Sequence, residues 1–140
     1  MCFAVISLAG PAVGEDDEAD RAWDQAAAMK LANELEETFE GAYARSLKAP
    51  PQQTALQQRE RDAAQGGIRR TRDLARDYAR RMRAGLPRGA SEPYFRAIVD
   101  EMENVWLTAG DAEPAESAKP TIDRFQRILD DLRALYDASE

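Results

Sequence analysis

The chain has 140 residues, a net charge of −7 and no histidine, and its single cysteine is Cys2. This composition excludes histidine general bases, Cys–His nucleophile pairs, the usual zinc sites and intrachain disulfides. The length suits one domain, and alanine, leucine, arginine and glutamate dominate without the alternation that strands require. We therefore expect an all-α fold.

Residues 1–14 form an apolar run that is followed abruptly by acids from Glu15 onward. Ala12 and Gly14 occupy the −3 and −1 positions of a cleavage site before Glu15, as at the end of a secretory signal peptide. No positively charged region precedes the run, which a start assigned too far downstream would explain. We predict a signal-peptide remnant over residues 1–14, or alternatively an apolar arm packed on the bundle, and a folded domain over residues 15–140. Export would place the protein in the periplasm or outside the cell, and retention of the segment would leave it in the cytoplasm.

The first helix is predicted from about Asp20 to Lys48. Pro50 and Pro51 end it, because proline lacks a backbone donor and restricts the residue before it. Apolar residues recur along this helix at the three- and four-residue spacing of one face. They are Trp23, Ala26, Ala27, Leu31, Leu35, Phe39, Ala42 and Tyr43.

The second predicted helix, over residues 54–86, is the longest and carries most of the arginines. Thr54 and Gln57 have the spacing of a capping box, in which two side chains satisfy each other's backbone N–H groups. Gly85 and then Pro87 supply the signal that ends the helix. Its apolar stripe contains Ala64, Ile68, Thr71, Ala75, Tyr78 and Met82.

Two adjacent glycines, Gly66 and Gly67, interrupt this second helix. Each costs roughly 1 kcal/mol relative to alanine in a helix interior. Three interpretations follow: a kink, the close approach of another helix, or a shorter helix that begins at Ile68.

With a rotation of about 100° per residue in an α-helix, five arginines lie on one flank of the second helix, directly beside its apolar stripe. They are Arg69, Arg72, Arg76, Arg80 and Arg83. We interpret them first as seam residues that pair with acids of the first or third helix, as charged residues do beside a coiled-coil core. The alternative is that they contact an anionic molecule or an acidic partner protein. If the seam interpretation is right, replacing Arg72 and Arg76 by alanine lowers thermal stability.

The third helix is predicted to begin after Ser91 as N-cap, to carry Glu92 in its first turn and to end before Gly110. The fourth follows Pro120, which suits an early helical position. Both carry clear apolar stripes, and Trp106 is assigned to the core. Four amphipathic helices joined by short connections predict an up-down-up-down four-helix bundle.

No haem or metal cofactor is expected. Small exported four-helix bundles include cytochrome c′, but this chain has neither a Cys-x-x-Cys-His motif nor a histidine for the axial position. A di-metal carboxylate site also requires histidines. Glutamates such as Glu34, Glu37, Glu101 and Glu103 could hold a hard cation through oxygen alone, but acidic helix faces are usually solvated or paired with arginine.

Three further function classes are not expected. The acidic charge and the absence of aromatic residues among the exposed arginines argue against nucleic-acid binding. The apolar run at the start of the chain is too short to span a membrane. The serines have no histidine partner, so no catalytic constellation is present.

The sequence therefore predicts a non-enzymatic, exported bundle that acts through a protein partner or homo-oligomer in the cell envelope. The alternative is a bundle that binds a small molecule or a cation, with Trp23 and Trp106 near the site and Arg72 and Arg76 as anion contacts. A large concave apolar pocket with convergent polar groups would favour this alternative. A filled core with an exposed apolar or single-sign patch would favour the first interpretation.

Overall fold

The computed structural model describes residues 23–51, 53–109 and 118–138, which contain four helices and no strand. In chain order these are α1 Gln25–Lys48, α2 Ala55–Arg83, α3 Arg88–Ala109 and α4 Lys119–Ala138. They form a four-helix bundle, so the predicted all-α class is confirmed. Within these ranges no helix has the length and apolar character needed to cross a membrane. The export prediction concerns residues 1–14, which lie outside the described residues.

Helix α1 begins later than the sequence predicts. Asp24 Oδ1 accepts a hydrogen bond from Ala27 N at 2.9 Å, so Asp24 is the N-cap and the predicted start near Asp20 is wrong. The helix ends at Lys48, before the two prolines, as predicted.

Both ends of α2 follow the predicted signals. Thr54 Oγ1 accepts a hydrogen bond from Gln57 N at 3.1 Å, which is the Thr54 half of the capping box. After the helix, Gly85 has a φ of 88°, a left-handed conformation that glycine adopts at little steric cost. Gly85 N donates to Met82 O at 3.0 Å and so satisfies one of the last carbonyls.

The predicted N-cap of α3 is wrong, because Ser91 lies inside the first turn. The helix starts at Arg88, and Ser91 N already donates to Pro87 O at 2.9 Å. Ser91 Oγ donates to Arg88 O at 2.9 Å, and its side chain is fully buried. Glu92 lies just beyond the first turn and pairs with Arg96 one turn later at 2.6 Å. A serine hydroxyl can bond a carbonyl of the preceding turn as well as cap a helix, so the residue type alone did not distinguish these positions.

Helix α2 packs extensively against both α1 and α3, and α4 packs mainly against α1. The backbones of α3 and α4 approach closely at few positions, so these helices meet mainly through side chains such as the stacked rings of Phe95 and Tyr136, whose centroids are 5.0 Å apart. At one end of the bundle, Gln25 Nε2 of α1 donates to Leu86 O at 3.0 Å. At the same end, Arg88 Nη2 of α3 donates to Tyr136 O of α4 at 2.8 Å. These contacts favour the up-down-up-down order, which stays a prediction.

Gly67 lies where α2 and α3 approach closely. Helix α2 runs unbroken through both glycines. A Cβ placed on Gly67 would lie 2.6 Å from Val105 Cγ2 of α3, closer than side-chain carbons approach each other. Of the three interpretations of the glycine pair, the structure therefore supports the close helix–helix approach.

The apolar core is distributed unevenly along the bundle. On α2 the predicted stripe is buried from Thr71 to Met82, whereas Ile68 is half-buried and Ala64 is exposed. We call the less buried end the open half and the remainder the closed half. None of the buried apolar side chains of the described residues lies in the open half. The open half comprises residues 41–51, 53–68, 103–107 and 118–122.

Buried hydroxyls connect α2, α3 and α4 in the closed half. Because Ser91 Oγ donates to Arg88 O, it accepts from Tyr136 Oη, which lies 2.7 Å away. Tyr136 Oη in turn accepts from Tyr78 Oη at 2.8 Å. Each of the three hydroxyl groups therefore donates to an acceptor. Donation runs in one direction, from Tyr78 through Tyr136 and Ser91 to Arg88 O. The Trp23 ring packs on Tyr136 with centroids 4.7 Å apart, which places Trp23 in the closed half.

Candidate functional site

Two of the five arginines on the α2 flank form the predicted seam with α1. Arg76 pairs with Glu40. Arg83 Nη1 lies 2.8 Å from Glu36 Oε2 and donates to Asn33 Oδ1 at 2.7 Å. These contacts link the acidic half of α1 to the basic half of α2.

Arg72 makes a different contact with α1. Its guanidinium carbon lies 4.1 Å from the centre of the Tyr43 ring, a cation–π geometry. Arg72 Nη2 lies 2.8 Å from Asp73 Oδ1, on the same helix. Only 16% of the Arg72 side chain is exposed, so its stem contributes to packing as well as to charge.

The other two arginines of the flank, Arg80 and Arg69, form no ion pair with α1 among the described residues. Arg80 pairs with Asp77 on its own helix. Arg81 Nε also donates to Asp77, at 2.9 Å, and these bonds lower the pKa of that carboxyl. Arg69 is exposed and forms no ion pair within the described residues. The flank is therefore a series of separate contacts, and the structure does not gather it into one binding site.

A cavity of about 410 Å³ opens between all four helices in the open half and is bordered by residues of the closed half. Its walls include the aromatic rings of Phe39, Trp106 and Phe125. Cavities of about 300–1,000 Å³ with apolar and aromatic walls are typical of small-molecule sites. Among the cavities of the described residues, this one has the lining that best matches that composition.

Small side chains account for the open space. Ala42, Ala49, Ala64 and Ala118 present only methyl groups to the cavity. Larger apolar residues on the same walls remain half-buried because nothing fills the space before them. These residues are Ile68, Val105 and Ile122. An apolar occupant would remove them from water, which is the main driving force for such binding.

Four polar side chains line the cavity, and two of them are already satisfied by their own helices. Thr71 Oγ1 donates to Gly67 O at 2.9 Å, and Ser46 Oγ donates to the carbonyl of residue 43 at 2.7 Å. The other two bridge α1 and α4, since Arg45 Nη2 donates to Thr121 Oγ1 at 2.7 Å. Because Thr121 accepts this bond, its own O–H remains available to another acceptor.

Trp106 is not the core residue that the sequence predicts. It is 37% exposed and lines the cavity, with its ring centroid 6.2 Å from that of Phe125. Trp23 lies in the closed half, so the two tryptophans do not line this cavity together. Arg45, which the sequence analysis did not single out, is the cationic residue of the cavity wall.

The predicted anion contacts do not line this cavity. Arg72 contacts Tyr43 and Asp73, and Arg76 contacts Glu40, all on the outer surface between α1 and α2. Their role as anion contacts stays a prediction, and it does not apply to this cavity. Helical periodicity put them beside the apolar stripe, but it did not show that acids and a tyrosine of α1 already occupy that side.

A larger cleft of about 810 Å³ lies between α2 and α3, where charged side chains form much of its wall. Arg59, Glu60, Asp62 and Arg70 are among them. Arg70 Nε already bonds Glu101 Oε1 at 2.7 Å. We favour the smaller cavity because its walls are apolar and aromatic, which is the composition that binds a small molecule.

Within the described ranges, no cluster of three or more acidic or cysteine side chains is placed to hold a metal ion. Glu37 and Glu101, considered above as cation ligands, instead pair with arginines. Arg124 Nη2 lies 3.5 Å from Glu37 Oε2, and Arg70 holds Glu101.

Large apolar side chains are also exposed around the open half. Leu47 at the end of α1 is 58% exposed, Leu56 at the start of α2 is 65% exposed, and Leu107 near the end of α3 is 80% exposed. Such side chains are unremarkable singly, but three at one end of a bundle mark a candidate contact surface. We call these three residues the leucine rim.

Comparison of the chain with protein-family models, with curated proteins and with solved structures found no match.

Proposed function

We propose that the protein is a non-enzymatic binding protein that holds an apolar small molecule in the cavity of the open half. The observation that carries this proposal is that apolar stripes continue past the packed core and face an aromatic-lined cavity of about 410 Å³. A ligand there would supply the apolar contacts that Ile68, Val105 and Ile122 lack. Among the alternatives raised by the sequence, this geometry favours the small-molecule interpretation.

Native mass spectrometry of the full-length protein tests this proposal. We expect a mass above that of the polypeptide when the protein is purified from its own cells, and the excess gives the mass of the ligand. Ala64→Phe, which fills the cavity from an exposed position of α2, should abolish the excess. Ala44→Phe is the matched control, since Ala44 is exposed on α1 and does not line the cavity.

Fluorescence gives an independent test, because the chain has two tryptophans and they lie in different halves. In a Trp23→Phe variant, Trp106 alone reports on the cavity. Titration with dodecanol should shift its emission to shorter wavelength in this variant, and the added Ala64→Phe change should suppress the shift. A bare polypeptide mass together with unchanged Trp106 emission would contradict ligand binding.

We propose the cell envelope as the location, on the basis of the signal-like composition of residues 1–14. The protein expressed with its upstream region restored should have a denatured mass that begins at Glu15. A mass that includes residues 1–14 would instead indicate cytoplasmic retention.

We propose contact with a protein partner, including a second copy of this chain, as a second candidate function that the leucine rim favours. Light scattering should then give a mass above the monomer, and Leu56→Glu with Leu107→Glu should restore the monomer. Circular dichroism of that variant should match that of the wild type if the fold is retained. A monomer at all concentrations would exclude self-association and leave a different protein as the partner to seek.

A further inference from the structure

We propose that the ligand of the cavity is an amphiphile whose anionic head group binds to Arg45 and Thr121 while its apolar chain lies between the helices. This proposal rests on the function proposed above and names the class of the ligand. Fatty acids, alkyl phosphates and lysophospholipids share this chemistry.

Arg45 has the properties of a head-group residue. It lines the cavity from α1, and its hydrogen-bond partner is the neutral Thr121 hydroxyl of α4, 2.7 Å away. Within the described residues it forms no ion pair, whereas the nearby Arg124 of α4 is held by Glu37 of α1. Arg45 is an exposed guanidinium beside an apolar wall and has no carboxylate of its own among the described residues, so it is available to bind an anionic group.

The local backbone leaves room for this guanidinium. Gly41 lies one helical turn before Arg45, and a Cβ on Gly41 would lie 3.4 Å from Arg45 Nη1. The side chain therefore lies back along α1 toward the cavity. There it meets the first turn of α4, where Thr121 keeps an O–H donor that can point at the same anion.

Neighbouring backbone dipoles do not cancel this positive charge. The start of α4 carries the partial positive charge of a helix N-terminus. The end of α1 carries the opposite partial charge, but Arg61 of α2 donates to Ser46 O in its last turn at 3.4 Å and to the carbonyls of Ala49 and Pro50 just beyond it. Arg61 thus offsets part of the negative partial charge at the end of α1, beside Arg45.

Paired probes that differ only in the head group test this assignment. Trp106 emission in the Trp23→Phe protein can be used to compare dodecanoate with dodecanol, each below its aggregation threshold. Because hydrogen bonds to charged groups are stronger than neutral ones, we expect dodecanoate to bind at least about tenfold more tightly than dodecanol. In Arg45→Gln the preference should disappear while the affinity for dodecanol is unchanged.

Arg69→Gln is the matched control, since Arg69 is also an exposed arginine without an ion pair in the described ranges but does not line the cavity. It should keep the full preference for dodecanoate. Dodecyl phosphate, tested in parallel, separates the head groups: binding tighter than dodecanoate assigns a phosphate, and weaker binding assigns a carboxylate.

The outcomes separate the two proposals. Equal affinity for dodecanoate and dodecanol in the protein with Arg45, or a preference that survives Arg45→Gln, overturns the head-group assignment and leaves apolar binding intact. Failure of every probe to bind overturns the proposed function itself.

Discussion

Tyr136 occupies the middle position in the buried chain of hydroxyls, because it accepts from Tyr78 and donates to Ser91. Tyr136→Phe leaves the Tyr78 proton without an acceptor and Ser91 Oγ without a donor, and an unsatisfied buried group costs about 1–3 kcal/mol. Tyr78→Phe removes only the first donor in this series of hydroxyls, which should lower the unfolding free energy by about 1 kcal/mol. Urea unfolding should therefore show the larger loss for Tyr136→Phe. The reverse order would contradict the direction of donation.

The same two tyrosines should make the protein sensitive to alkali. Burial raises the pKa of both Tyr78 and Tyr136 above the usual value near 10, with the hydrogen bond between them a further cause for Tyr78. Above pH about 10 the unfolded chain loses these protons while the folded protein keeps them, so unfolding releases protons and stability falls as pH rises. The slope should approach about 1.4 kcal/mol per pH unit for each tyrosine.

Unfolding free energies measured by urea between pH 8 and pH 11 check this expectation. Stability contributed by these hydroxyls should be fully present below pH about 10 and decline above it. Tyr78→Phe should roughly halve the decline that the pair causes. A decline that is equally steep in Tyr78→Phe would mean that other groups titrate on unfolding.

At the scale of the helix, the arginine flank of α2 should contribute to stability unevenly. The pairs of Arg76 with Glu40 and Arg83 with Glu36 are about half-exposed on the arginine side, and exposed pairs contribute about 0–1 kcal/mol each. Arg72 is more buried and stacks on Tyr43, so its truncation also removes packing.

We therefore expect Arg72→Ala to lower the unfolding free energy by more than Arg76→Ala does, in chemical denaturation of the full chain. The effect of Arg76→Ala should shrink in high salt, whereas that of Arg72→Ala should largely persist. Arg69→Ala serves as the control and should change stability by less than about 0.5 kcal/mol. An equal loss for all three would mean that the flank acts only through its summed charge.

The existence of the helices and most of their ends could be predicted because the relevant signals are local. The Thr54 cap, the Gly85 stop and the two prolines after α1 each act within a few residues. The N-cap prediction at Ser91 was wrong because a serine hydroxyl can either cap a helix or bond a backbone carbonyl within its first turn. The close approach of α3 to α2 at Gly67 could not be chosen from the sequence alone. It depends on Val105, which is distant from Gly67 in the sequence.

The candidate site was less predictable for the same reason. A helical wheel gives the direction in which Trp106 points, but the space before it is set by alanines on α1 and α2 and by Ala118 just before α4. One feature of the sequence pointed to Arg45. It is a basic residue that follows the predicted inner face of a helix whose other charged residues are mostly acidic. That signal becomes meaningful only when Thr121 is known to lie opposite.

At the scale of the whole molecule, the uneven core also implies uneven protection of the backbone amides. Segments rich in fully buried contacts open only with global unfolding, whereas sparsely packed segments open locally at lower cost. Hydrogen-exchange mass spectrometry should thus show slow exchange over residues 72–82 and 126–135. It should show fast exchange, nearly independent of dilute denaturant, over residues 56–66 and 103–107.

Dodecanoate should slow exchange in those fast segments and leave the slow ones unchanged. Binding would then extend the cooperatively folded unit along α2 without altering the fold itself. Part of the binding free energy would be spent on ordering the first half of that helix, so affinity should fall steeply on warming. The free and occupied forms would differ mainly in how much of the chain resists proteases, and protease sensitivity at the start of α2 would report occupancy.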